Sequence, residues 1–135
     1  MKVQRVIAVL VPALLLASTC LAGQSVSIRL VEAGNTPNVD SAGLADVIGV
    51  LRNNLPYSSF KLVASSSVSL PARKAVRTIG AYKVSCSGQA GNLVIAVSRG
   101  RKVLLNTRVE LHEPLFVGGF PTGDGKHILV FVLVQ

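Results

Sequence analysis

The chain has 135 residues, half of them hydrophobic, with fourteen Lys and Arg against six Asp and Glu and a formal charge of +8. That length suits one ordinary domain with a single core. Two Tyr, four Phe and no Trp are too few for a platform on which single-stranded nucleic acid would stack.

The first residues place Lys2 and Arg5 ahead of an apolar run from Val6 to Ala17, followed by the small-residue stretch Ser18 to Gly23. This is the three-part layout of a secretory signal peptide. The run is shorter than the roughly 20 residues a membrane-spanning helix needs, and Pro12 interrupts it. The expected organisation is a signal peptide over residues 1–22 and a single domain over 23–135, exported to the periplasm or the exterior. Acylation of Cys20 is the alternative, although Thr19 and Ala17 stand where lipobox sequences usually carry Gly or Ala and Leu. Cleavage after Ala22 removes Lys2 and Arg5 and leaves twelve basic residues against six acids, a net +6.

Cys86 is then the one remaining cysteine, so an intramolecular disulfide is unavailable and packing must supply the stability. Alternation from Tyr82 places the thiol on the face of Tyr82 and Val84, which predicts a buried, inert group.

Ser25 to Val31 alternates Val26, Ile28 and Leu30 with Ser25, Ser27 and Arg29, the pattern of a half-buried strand. Ala33 to Asn38 reads as a turn-rich connection. Leu44, Val47, Ile48, Leu51 and Leu55 then recur at i, i+3, i+4, i+7 and i+11, which predicts an amphipathic helix. Asp40 or Ser41 is its expected N-cap, Asn53-Asn54 tolerate a left-handed C-terminal cap, and Pro56 ends it.

From Tyr57 onward the pattern is one of strands: Tyr57 to Ala64, Val68 to Leu70, Tyr82 to Cys86, Leu93 to Ser98, Val103 to Leu111, Leu115 to Val117 and His127 to Val134. The serine group at Ser65, Ser66 and Ser67 reads as a polar loop. Arg99-Gly100-Arg101-Lys102 closes a hairpin between Leu93–Val97 and Val103–Leu111. Ile128 to Val134 is apolar at every position, the mark of a central strand covered on both sides. The fold class expected is α+β, with one N-terminal amphipathic helix packed on a mostly antiparallel sheet or small sandwich.

Chemistry-bearing groupings are sparse. Residues 117–126 are glycine-rich, but Asp124 stands where a phosphate-binding loop needs Lys. Gly125-Lys126 is followed by His127 rather than Ser or Thr, and a strand rather than a helix comes next. A hairpin turn around Asp124-Gly125 is the expectation. His112 and His127 would meet only if their strands were neighbours, and neither has a partner at a recognised ligand spacing. No nucleophile elbow is present, and Glu110 and Glu113 form the one close carboxylate pair. The reading is of a protein that is not an enzyme and needs no cofactor or metal. A hydrolase or metalloenzyme using the two histidines is the weaker alternative.

Two features suggest binding. Arg73, Lys74 and Arg77 form one basic cluster, Arg99, Arg101 and Lys102 a second, with Lys83 between them. If both lay at one end of a sheet they would form a patch for anionic lipid or acidic glycan. Gly118, Gly119, Phe120 and Asp124 form a turn that could contact a protein, with Phe120 as an exposed apolar group.

The stretch Leu105 to Leu111, then Pro114 to Phe120 with its Gly118-Gly119 pair, then Ile128 to Phe131, resembles a short piece of the bacterial secretin core. It covers under a quarter of the chain and carries over no functional residue. The spacing of the helix and of Leu55 to Leu62 also resembles small exported bacterial proteins of uncharacterised function. The secretin resemblance implies an envelope component that adds strands or docks to a larger assembly. The expected function is therefore an exported envelope module that binds another protein, with a basic surface-binding protein as the alternative and nucleic acid an unlikely partner.

Overall fold

A computed structural model of the chain describes residues 23–37, 40–123 and 125–135. The expected signal peptide, including Cys20, lies outside the described residues. So does Asp124.

The described residues form β1 (Ser25–Gly34), α1 (Ile48–Asn54), β2 (Ser59–Ser69), β3 (Ala72–Ile79), β4 (Tyr82–Gln89), β5 (Asn92–Arg99), β6 (Lys102–Val109), β7 (Leu115–Pro121) and β8 (Lys126–Val134). The strands make two four-stranded antiparallel sheets. Sheet A has the order β2-β1-β8-β7, and sheet B is the meander β3-β4-β5-β6. Strand accounts for 63% of the described residues and helix for 6%, which overturns the α+β expectation. The described residues form a β-sandwich with one short helix, which lies between β1 and β2 rather than ahead of the strands.

The sandwich follows from alternation. Val26, Ile28 and Leu30 of β1 and Leu129 and Phe131 of β8 turn inward against Tyr82, Val84 and Cys86 of β4 and Leu93, Ile95 and Val97 of β5. Burying apolar area in this way stabilises by about 25 cal/mol per Å². Sheet A is also covered on its other side. Val31, Ala33, Ile128 and Val130 meet Leu44, Val47 and Leu51 from the helical segment and Phe60 of β2. This double cover explains why β8 is apolar without alternation: it is a central strand with a core on each side.

The helix is shorter than its periodicity predicts. Asp40 accepts the Ala42 amide at 3.0 Å, and Gly43 follows at φ +84°. A left-handed residue there breaks the α run, so Leu44 and Val47 reach the core from turns. Helix α1 begins after Val47, with no side-chain cap. A Cβ at Gly43 would also come within 2.6 Å of the end of the Leu62 side chain, which would have to turn aside. At the other end the cap residue Leu55 is extended, at φ −123°, so no left-handed cap forms at Asn53-Asn54.

One strand is broken and another hidden in the sequence pattern. Ser65, Ser66 and Ser67 are not a loop but the middle of β2, opposite Arg29, Ile28 and Ser27. Ala64 and Ser66 are half-buried and Val68 buried, while Ser65 and Ser67 face water. Arg73 to Arg77 fall in β3, an edge strand with a bulge at Lys74, which sits at φ +75°. The expected hairpin between β5 and β6 is present, with Leu93, Ile95 and Val97 opposite Val109, Thr107 and Leu105. Gly100, at φ +63°, supplies the left-handed first position that a tight two-residue turn needs.

Candidate functional site

The four sheet edges differ in how they are protected. An open edge exposes unpaired backbone groups to any passing strand, and natural sheets guard it with charge, bulges or cover. Among the edge strands β2 carries Lys61, β3 carries Arg73, Lys74 and Arg77, and β6 carries Lys102 and Arg108. Arg77 also ties β3 to β2, its Nε donating to the Ser67 carbonyl at 3.1 Å. Strand β7 has no charged residue. Its protection is a bulge between Gly118 and Phe120 and Pro121 at its end, which leave Leu115, Phe116 and Val117 as a plain edge.

Beside that edge lies an apolar pocket of about 170 Å³ lined by Leu55, Pro56, Tyr57, Phe116, Gly118, Gly119 and Ile128. An apolar cavity of ~150 Å³ is large enough for a benzene ring, so the pocket suits one apolar side chain. Two of its lining residues are glycines. Gly118 adopts φ +142°, and a Cβ there would meet the His127 carbonyl oxygen at 2.6 Å. Gly119 has open space around it. Both are exposed, but Phe120 is not the exposed contact expected of it: it is half-buried, its ring 5.5 Å from that of Tyr82.

The basic residues do not gather at one end of the sheet. Arg73 pairs with Ser87 and Arg99 with Tyr82, positions five residues apart on β4 and so roughly 17 Å apart. Arg73, Lys74 and Lys83 are exposed on the outer side of sheet B. Arg108, which the sequence clusters did not include, joins them there, donating to Asn92 Oδ1 at 3.1 Å. Arg77 and Arg99 are instead occupied by internal hydrogen bonds, and Arg101 and Lys102 lie at the β5–β6 turn.

At the Arg99 end of the sandwich the sheets meet through a polar cluster. Tyr82 is fully buried. Its hydroxyl accepts a hydrogen bond from Arg99 at 3.2 Å and lies 3.0 Å from His127 Nδ1, while the Arg99 guanidinium stands 5.5 Å from the centre of the Tyr82 ring. Arg99 can only donate, so the hydroxyl oxygen accepts from it, and the direction of the Tyr82–His127 bond follows the imidazole tautomer. Burial pushes the His127 pKa below its usual value; Glu32, opposite it on β1, opposes the shift, and Arg99 reinforces it. This cluster was not visible in the sequence, where Tyr82 read as core alone.

His112 and His127 do not come together. His112 is exposed beyond β6, its Nδ1 3.2 Å from the Glu110 carbonyl oxygen, and the adjoining Leu111 amide bonds to Ala90 at the far end of sheet B. Among the described residues no three His, Cys, Asp or Glu side chains are grouped to hold a metal. Cys86 is buried as expected, and burial pushes its thiol pKa up to about 11. No helix among the described residues is long and apolar enough to cross a membrane.

Protein families, curated proteins and solved structures offer no significant match to the chain.

Proposed function

We propose that this chain is an exported, non-enzymatic envelope module that binds another protein by receiving one of its strands along β7. The carrying observation is the contrast among the edges: β7 is uncharged and has an apolar pocket beside it, whereas β2, β3 and β6 each carry at least one Lys or Arg. In strand addition the backbone hydrogen bonds supply affinity, and pockets for alternate side chains supply selectivity. The pocket among Leu55, Tyr57, Phe116 and Ile128 supplies such a site for an apolar side chain. The likeness of residues 105–131 to part of the secretin core supports the same reading, since it falls on β6, β7 and β8 and implies a component that adds strands or docks to a larger assembly.

The test is a peptide selection followed by amide mapping. Peptides selected on the protein should be extended and carry an apolar anchor, and they should slow amide exchange in Leu115 to Val117. Val117→Lys, which sets an inward-pointing charge on the edge where Val117 packs against the core, should weaken their binding at least tenfold in protein shown by thermal melting to be folded. Selected peptides that leave β7 amides unprotected, or that bind Val117→Lys unchanged, would reject the proposal.

A further inference from the structure

Acidic and basic residues are segregated by sheet. Between Ala72 and Val109, the span of sheet B, the sequence holds eight of the fourteen Lys and Arg and none of the six Asp and Glu. The absence of acids extends back to Val47. The outer side of this sheet presents Arg73 and Lys74 from β3, Lys83 from β4 and Arg108 from β6, with Ser85, Ser98 and Asn106 between them. Val76 and Val103 stand out among these polar groups, 44% and 66% exposed.

We propose that the outer face of sheet B docks on the surface of an anionic phospholipid bilayer. Charge complementarity fixes the sign of the partner. Shape then favours a plane over a thread: four strands give a face roughly 14 Å wide and 26 Å long, with cations spread over it rather than aligned in one groove. The Val76 and Val103 side chains project where headgroups would contact the sheet and can bury apolar area there. No aromatic residue lies on this face to stack a base, which separates it from surfaces that hold single-stranded nucleic acid. The face is distinct from β7 and does not depend on strand addition there.

The experiment compares co-sedimentation of the full chain with vesicles of phosphatidylcholine alone and of phosphatidylcholine mixed with phosphatidylglycerol. Every variant keeps the same first 22 residues, so their apolar contribution cancels between variants, and the gain caused by phosphatidylglycerol isolates electrostatic docking. Replacing Lys74, Lys83 and Arg108 together by Gln should reduce that gain by about fivefold per residue. Lys83→Gln alone gives the single step should the triple variant fail to fold, with thermal melting checking each protein. Arg52→Gln with Lys126→Gln, which removes two cations outside sheet B, should leave most of the gain, and raised salt should erase it in the unaltered chain.

A phosphatidylglycerol gain that survives in the folded triple variant would overturn the proposal. Equal loss per residue removed in the Arg52/Lys126 variant would also overturn it, because net charge rather than this face would then govern binding. Retention on polyglutamate or duplex DNA without any phosphatidylglycerol gain would assign the face to an acidic polymer instead.

Discussion

The Tyr82 hydroxyl lies 3.0 Å from Nδ1 of His127, joining an inner strand of one sheet to an inner strand of the other at the end of the sandwich. Burial of the ring disfavours its charged form, and the Arg99 guanidinium bound to the same hydroxyl adds a like-charge penalty to protonating it.

A pH dependence follows. The folded-state pKa of His127 lies below its ordinary value near 6.5, so the unfolded chain takes up this proton more readily. The associated stability is fully present above the unfolded pKa and is lost as pH falls through the folded one. Melting temperature measured across that acid range should drop more steeply in the unaltered protein than in His127→Asn, which cannot titrate. Parallel profiles would show that His127 is not the group responsible.

Tyr82→Phe keeps the ring and removes the hydroxyl, leaving His127 Nδ1 and one Arg99 donor without their partner. The expected cost is about 1 kcal/mol in urea unfolding. Tyr82→Ala should cost about 3–5 kcal/mol, because a fully buried ring is lost. The difference between these variants separates the hydrogen bonds from the packing.

The glycine pair permits a graded test of backbone geometry. Gly118→Ala combines a left-handed φ with a clash against the His127 carbonyl oxygen and should destabilise by about 2–3 kcal/mol or shift the β7 bulge. Gly119→Ala has the conformational strain without the clash and should cost about 1 kcal/mol. Equal effects on the unfolding midpoint would contradict the described close approach.

Arg29 and Asp46 form a two-pronged ion pair, with Arg29 nitrogens 2.6 and 2.8 Å from the two carboxylate oxygens. It ties the turn before α1 to the outer side of β1. The hydrogen bond from Arg29 holds the Asp46 pKa below the usual carboxylate value, so its stabilisation is present above the unfolded pKa and fades as pH falls through the folded one. Since the Asp46 side chain is 53% exposed, Asp46→Asn should cost only about 0.5–1 kcal/mol at neutral pH. Unfolding curves of the two proteins, apart at neutral pH, should converge at acid pH.

Much of the strand inventory was legible because apolar side chains alternate cleanly in β1, β4, β5 and β6, and because the two-sided apolarity of Ile128 to Val134 leaves few places for that strand except the centre. The apolar spacing of Leu44 to Leu55 gave the buried contacts correctly but overstated the helix, since periodicity says nothing about the left-handed backbone at Gly43. Strand β2 was broken at its serines because local composition favoured a loop, whereas pairing with β1 supplies what serine lacks in propensity. The pairing of Tyr82 with His127 could not be foreseen without knowing how the sheets stack. One signal was available and passed over: the long acid-free run from Val47 to Val109 already marks sheet B as cationic.

Strand β1 has β8 beside it, and Ser25 is matched with Val134 across more than a hundred intervening residues. The meander of sheet B, by contrast, closes through tight neighbouring turns and can assemble while the chain is still emerging. Sheet A must wait for the last segment to arrive before its middle can zip, which makes loop closure over nearly the whole domain the slow event in folding. Until then the apolar flanks of β1 stay uncovered, and the molecule is most open to mispairing just before its final strand locks in.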